Sequence, residues 1–372
     1  MRTWPTAGTI PPAVYTRTHF QIRQAPEYLS SNRIFEISSS SAPSDVNILV
    51  IGGAGYVGAH TCKALSRSGY RPVVFDNLSN GHRSFVRWGP LIEGDIRDQA
   101  ALLDAIRAYD VKAVLHFAAL TSVGESVIDP RSYYDNNVGG SLSLFGAMID
   151  ADCRTIVFSS SCAVYGEPQN HPIGESSPIA PCNPYGASKA IVERILSDYS
   201  QANLLKSISL RYFNASGADP DGELGELHTP ETKLIPRAMM AIQGEITDFA
   251  VFGTDYNTPD GTAIRDYVHV SDLADAHVSA LGRLFAGGPS GTFNLGTGLG
   301  YSVNEVLNAI SAETGAVLRA ASTSRRQGDP AALVADPTLC RTELGFVPKL
   351  SDLPTIIQTA WSWRSRANQF SE

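Results

Sequence analysis

With 372 residues, 43% of them apolar and 18% charged, the chain can bury the core of one large domain and of a smaller second one. Its formal charge of −8 argues against nucleic acid or an anionic membrane as a partner, since either selects a basic face, and no apolar run approaches the roughly 18 residues of a membrane span. Five cysteines, odd in number and without CxxC spacing, suggest neither a disulfide framework nor a zinc site, so no metal is expected and a reducing cytoplasm fits best.

Residues 1–45 carry Pro5, Pro11, Pro12 and Pro26, a serine run from Ser38 to Ser41 and no sustained period, which predicts an irregular N-terminal tail. Arg2, Arg17, Arg23 and Arg33 hint at a targeting segment, but Glu27, Glu36 and the lack of an amphipathic helix count against one. The first strand is the apolar run from Asn47 to Ile51. It leads into GGAGYVG, Gly52 to Gly58, and then into a helical pattern over 56–68. Glycines at 52, 55 and 58 let the backbone turn sharply and approach a pyrophosphate, whose charge sits on the free N–H groups of the helix start at Tyr56 and Val57. The next apolar run, from Pro72 to Phe75, ends on Asp76, where a carboxylate can accept both hydroxyls of an adenosine ribose. Neutral Asn77 follows, and the acid would repel a 2′-phosphate, so the expected cofactor is NAD.

Beyond it, Gly94-Asp95-Ile96 closes a short run, a helix is predicted over 98–108, and the strand VKAVLHF over 111–117 ends in Ala118-Ala119, small enough to lie against a flat ring. Helices over 131–151 and 185–201 precede strands over 155–159 and 207–211. Strands that are apolar throughout and alternate with helices predict an α/β fold, a doubly wound parallel sheet covered on both faces. We therefore assign residues 46–213 to a dinucleotide-binding domain. Residues 214–372 form mainly a substrate lobe, with helices over 234–243, 271–285 and 302–314 and with segments that return to the sheet.

Ser161 stands just past the 155–159 strand, and Tyr185 and Lys189 lie one turn apart at the start of a helix. Strand ends and helix starts on the carboxyl edge of such a sheet are where ligands bind. In this arrangement Tyr185 takes a proton from a substrate hydroxyl held by Ser161 as hydride leaves the same carbon for the nicotinamide. A free phenol has a pKa of ~10, so it must be favoured by ~4 kcal/mol to act at neutral pH. An ammonium ~6 Å away supplies about 2.8 kcal/mol, and an oxidised nicotinamide could supply the rest.

The blocks GGAGYVG, DNLSNG, EGDIRD, HFAA, YYDNNV, FSSSCAVYG, NPYGASK, RYFNASGA and DGTAIRDYVHVSDLADAH together resemble the UDP-glucose 4-epimerase family of the extended short-chain dehydrogenases/reductases, from about Asn47 to the C-terminal region. The resemblance implies UDP-glucose/UDP-galactose interconversion without net redox, on tightly held NAD. It implies that Asp95, Ile96, Phe117, Ala118, Asn136 and Phe213 join the glycine loop, Asp76, Asn77 and Lys189 around NAD. Asn214, Lys233, Leu234, Phe252, Arg265, Arg326 and Asp329, with Ser161 and Tyr185, are implied to hold the UDP-sugar, the two arginines on its diphosphate. It also implies a homodimer through the helices over 131–151 and 185–201. Three positions depart from the family pattern. Lys233 replaces an Asn or His, Thr121 replaces a lysine found in some members, and Leu333 aligns where a bulky Tyr excludes N-acetylated sugars and a small residue admits them. Epimerases of UDP-xylose/UDP-arabinose or UDP-N-acetylglucosamine stay open as alternatives. A 4,6-dehydratase is disfavoured, because Cys162 and Ala163 follow Ser161 where that chemistry needs carboxylates, and a non-catalytic NAD sensor would have no use for Tyr185.

Overall fold

The computed structural model describes residues 46–168, 170–326 and 329–367. The tail expected over 1–45 lies outside them. Seven parallel strands form one sheet, and six come in chain order: β1 (Asn47–Ile51), β2 (Arg71–Asp76), β3 (Leu91–Glu93), β4 (Ala113–His116), β5 (Thr155–Ser161) and β6 (Lys206–Tyr212). The seventh is Gly291–Leu295, and the spatial order is Gly291–Leu295, β6, β5, β4, β1, β2, β3. The order reverses between β1 and β4, which opens a crevice above their carboxyl ends.

Successive residues of a strand point to opposite faces, so a strand apolar at every position needs cover on both. Ile48 and Val50 of β1 pack against Cys62 and Leu65 of helix Tyr56–Arg67 and against helix Val270–Phe285. Leu49 and Ile51 face the other way, onto helices Gln99–Ala108, Gly140–Asp150 and Pro184–Gln201. The boundary expected at 213 is therefore crossed, since helix Val270–Phe285 and the seventh strand belong to the sheet layers. A separate apolar cluster joins helices Leu234–Ile242, Val303–Thr314 and Leu353–Ala367 and forms the core of the smaller lobe.

The helix expected over 131–151 is not uniform. Pro130–Tyr133 and Gly140–Asp150 are α-helical, but Tyr134–Gly139 is a π-helical turn. The widened turn brings Asn137 inward, where Oδ1 accepts from Leu120 N at 2.8 Å and Nδ2 donates to Leu120 O at 3.1 Å and Ser188 Oγ at 3.0 Å. This ties the loop after β4 to helix Pro184–Gln201. Helices Val123–Ile128, Thr338–Leu344 and Leu353–Ala367 carry no counterpart in the sequence reading. Among the described residues no helix is long and apolar enough to cross a membrane.

Asp266 joins the two lobes. It is fully buried and accepts from Thr297 N at 2.9 Å, Thr297 Oγ1 at 2.7 Å, Gly298 N at 3.0 Å and Ala335 N at 3.2 Å. Asp266→Asn turns one acceptor oxygen into a donor that faces donors, and a buried group left unsatisfied costs ~1–3 kcal/mol. A loss of about 2–4 kcal/mol is expected, read as a lower urea midpoint at unchanged slope.

Candidate active site

Above the crevice lies a cleft of about 660 Å³. Gly52, Gly55, Tyr56, Val57 and Gly58 line it, as do Asp76, Asn77, Ile96, Phe117, Ala118 and Asn136. Ser161, Tyr185, Lys189, Phe213, Asn214, Lys233, Arg265 and Asp329 line the remainder, as do Thr121 and Leu333. Four expected residues do not line the cleft. Leu234 faces a neighbouring cavity of about 60 Å³, and Arg326 stacks its guanidinium 4.0 Å from the centre of the half-exposed Phe252 ring. Asp95 is held by Arg97, whose Nε and Nη2 both donate at 2.8 Å, and this holds its carboxyl well below the usual range.

The glycine loop is shaped by contacts that no side chain could share. Gly52 has φ +79°, and a Cβ there would lie 2.6 Å from Ala118 N; at Gly58 it would lie 2.2 Å from Gly52 O. Asp76 Oδ2 accepts from Ala54 N at 3.0 Å and Oδ1 from Leu78 N at 2.8 Å, which fixes the carboxylate at the tip of β2 with lone pairs to spare. Burial raises its pKa and these two N–H groups oppose the rise.

Strand β5 runs two residues further than expected and delivers Ser161 from the strand itself. Asn183 caps the facing helix by accepting from Gly186 N at 2.9 Å, and so sets where Tyr185 begins its first turn. Tyr185 is half-buried, with Ser161 close enough to act on its phenol. Burial pushes it up to about 12, with Ser161 pulling the other way. Lys189 is 3% exposed, donates to Ser159 O at 2.8 Å and lies 4.9 Å from the centre of the Phe158 ring. Burial pushes its ammonium down to about 7, against the charge of Glu193. The simple picture of a lysine acidifying a phenol therefore leaves out the larger influence, since both groups are desolvated and burial favours the neutral form of each.

Comparison with known proteins adds a family. Residues 48–296 match the model of the NAD dependent epimerase/dehydratase family. The chain belongs to this family. Among relatives, UDP-glucose 4-epimerase of Rhizobium leguminosarum bv. trifolii is 53% identical over 322 residues, 87% of this chain and 98% of that one. Among solved structures, UDP-glucose 4-epimerase of Brucella ovis in complex with NAD is 55% identical, with a TM-score of 0.83 over 85% of this chain and 98% of that one. The Bifidobacterium longum enzyme in complex with NAD⁺ and UDP is 37% identical, with a TM-score of 0.82 over 87% and 99%.

The cleft suits the dinucleotide of this epimerase/dehydratase family. Glycines stand where a Cβ would strike backbone, a helix N-terminus with no side-chain cap opens toward the cleft at Gly55, and a fixed carboxylate lies beyond it. The sequence reading missed a group on the cleft's other rim. His228 Nδ1 lies 3.3 Å from Glu226 Oε1 and 3.8 Å from Glu231 Oε2. Burial works against its charge, but the two carboxylates outweigh it and raise the imidazole to about 9. The spacing Glu-x-His-x-x-Glu was visible, but as a loop without period it carried no signal of who would meet whom. Among the described residues the other carboxylate cluster, Asp219, Asp221 and Glu223, surrounds the Lys63 ammonium at 2.6–2.8 Å.

Proposed function

We propose that this chain is a UDP-glucose 4-epimerase that interconverts UDP-glucose and UDP-galactose. The observation that carries the reading is that Ser161, Tyr185 and Lys189 line the same cleft as the glycine loop and Asp76. When bound, NAD would supply the reversible hydride acceptor for sugar C4. Tyr185 removes the C4 hydroxyl proton and later gives it back, so no external acid or base is needed. Ser161 holds the same oxygen and orients it toward the phenol. Lys189 contributes positive charge behind Tyr185, and Asp76 receives the adenosine ribose through its remaining lone pairs.

Arg265, paired with Asp329, offers the planar donor fork for the diphosphate. Arg326, whose carbonyl accepts from Asp329 N at 3.2 Å and whose guanidinium stacks on Phe252, would extend that subsite. Leu333, 9% exposed and packed with Cys162 and Phe213, bounds the cleft at the position expected to sense the sugar substituent. Leu142 and Ile191, exposed on helices Gly140–Asp150 and Pro184–Gln201, support a homodimer through these helices.

The purified chain is expected to invert C4 of UDP-galactose without added cofactor, followed by NMR of the anomeric proton. UDP-N-acetylgalactosamine and UDP-xylose in parallel report the sugar range. Retention of all three substrates unchanged, by protein that carries NAD, would refute the assignment.

A further inference from the structure

Tyr185, Lys189 and Glu193 follow at four-residue spacing along helix Pro184–Gln201 and share one face of it. Each meets the end of β5. Tyr185 lies beside Ser161, Lys189 donates to the Ser159 carbonyl at 2.8 Å, and Glu193 accepts from the Ser160 hydroxyl. From β6, Arg211 grips Glu193: Nε donates to its two oxygens at 2.9 and 3.1 Å, and Nη2 adds a further bond. The two side chains are only 9% and 7% exposed. Arg211 is the register partner of Ser160, and its Nη1 donates to Tyr165 OH at 2.9 Å, which donates in turn to Asn294 Oδ1 at 2.7 Å. A buried ion pair is often no more stabilising than apolar residues of the same volume, so its place one turn beyond the lysine calls for another reason.

We propose that Glu193, clamped by Ser160 and Arg211, is a positioning residue for the reaction: it is the counter-charge that keeps the Lys189 ammonium in the cleft wall, and Arg211 moderates how much of that charge the lysine feels. The inference rests on the epimerase reading only in giving Lys189 its place behind Tyr185.

The surroundings of Lys189 favour this role. Its own helix offers Tyr185 and Glu193. His116 faces it from β4 as a neutral ring, pushed down to about 3 by burial and then by the lysine's charge. From β5 come the Phe158 ring and the Ser159 carbonyl. Tyr212 of β6 is hydrogen-bonded with Ser159 and is kept a phenol by burial, while Asn137 of the π-helical turn reaches the helix through Ser188. Against this largely neutral lining, burial alone drives Lys189 toward its uncharged form and Glu193 opposes it.

In the holoenzyme, Glu193→Gln removes the charge and keeps the shape, so Lys189 gives up its proton at lower pH. The alkaline limb of kcat is expected to move down by about one pH unit, and the Lys189 ε-carbon, followed by ¹³C NMR in the same protein, to titrate down with it. Arg211→Met uncovers Glu193 and moves both readouts up. Opposite directions for the two partners of one ion pair are not the result of a pair that only holds the fold together. Glu193→Asp draws the same charge back by one methylene and shifts both readouts down by less; it is the variant read if the glutamine protein does not fold. A Lys189 resonance that titrates as in the parent in a folded Glu193 variant overturns the proposal, whether or not the chain epimerises sugars. A parent chain without epimerase activity overturns only the functional reading.

Discussion

Tyr185→Phe is expected to epimerise UDP-galactose about 10²–10⁴ times more slowly than the parent chain while carrying the same amount of NAD. The substitution deletes one oxygen, that of the phenol beside Ser161, and keeps the half-buried ring. The glycine loop and Asp76, proposed to receive the dinucleotide, line the same cleft, and Asp76 is fixed by Ala54 N and Leu78 N rather than by that phenol. Loss of turnover with NAD retained therefore isolates proton transfer from cofactor binding.

The expected loss is large because the proton is hard to move here. With Tyr185 pushed up to about 12, the phenolate lies some five pH units from neutrality, or ~7 kcal/mol at 1.36 kcal/mol per unit. A fully charged Lys189 ~6 Å away in a medium of effective dielectric ~20 would supply about 2.8 kcal/mol of that, and less at neutral pH, because burial pushes its ammonium down to about 7. The remainder would fall to the positive charge of oxidised NAD, since the pull of Ser161 is already contained in the value of about 12. On the proposed mechanism Ser161 and Tyr185 act on the same substrate oxygen, so Ser161→Ala added to Tyr185→Phe should cost much less than Ser161→Ala does in the parent chain. A near-parental rate for Tyr185→Phe would remove the tyrosine from the mechanism.

How much of this was legible beforehand depended on whether a property is local. Strand, glycine turn and helix over 47–67 could be read because each residue type there answers to its own backbone, and Asp76 because it ends an apolar run. Tyr185 and Lys189 could be paired because helical spacing alone puts them on one face. The π-helical turn at Tyr134–Gly139 could not be read, since one extra residue in a turn leaves the apolar period almost unchanged. Asp266 looked like one acid in a charged loop, and its four donors come from Thr297, Gly298 and Ala335, which only the fold brings together. The same holds for Glu193, whose partner Arg211 lies on the next strand. The arithmetic for Tyr185 erred in a related way: charge spacing was visible, but desolvation is a property of the assembled cleft.

Gly58→Ala should cost the chain its dinucleotide. A Cβ at this position would sit 2.2 Å from Gly52 O and 3.0 Å from Gly52 C and Gly53 Cα, all backbone atoms, so no side chain can swing aside to admit it. Nor can either element retreat. Helix Tyr56–Arg67 is wedged by Cys62 and Leu65 into the core it shares with helix Val270–Phe285, and Gly52 is pinned by its N–H to Phe75 O at 2.9 Å and by the nearness of Ala118. Something in the loop must move, and the atoms that move are those whose N–H groups would receive the pyrophosphate. Affinity for NAD should fall at least about 100-fold, close to 3 kcal/mol at 1.4 kcal/mol per decade, with a further ~1–3 kcal/mol of overpacking taken from stability. Gly282→Ala is the matched comparison. It lies inside helix Val270–Phe285, where a Cβ meets nothing within 4 Å, so the same substitution should leave NAD in place and raise stability by about 0.5–1 kcal/mol. Dinucleotide content after gel filtration, read from absorbance and set beside thermal melts of the two variants, separates a damaged cradle from general destabilisation. If Gly58→Ala eluted with its full complement of NAD, the glycine loop would not be where the pyrophosphate lies.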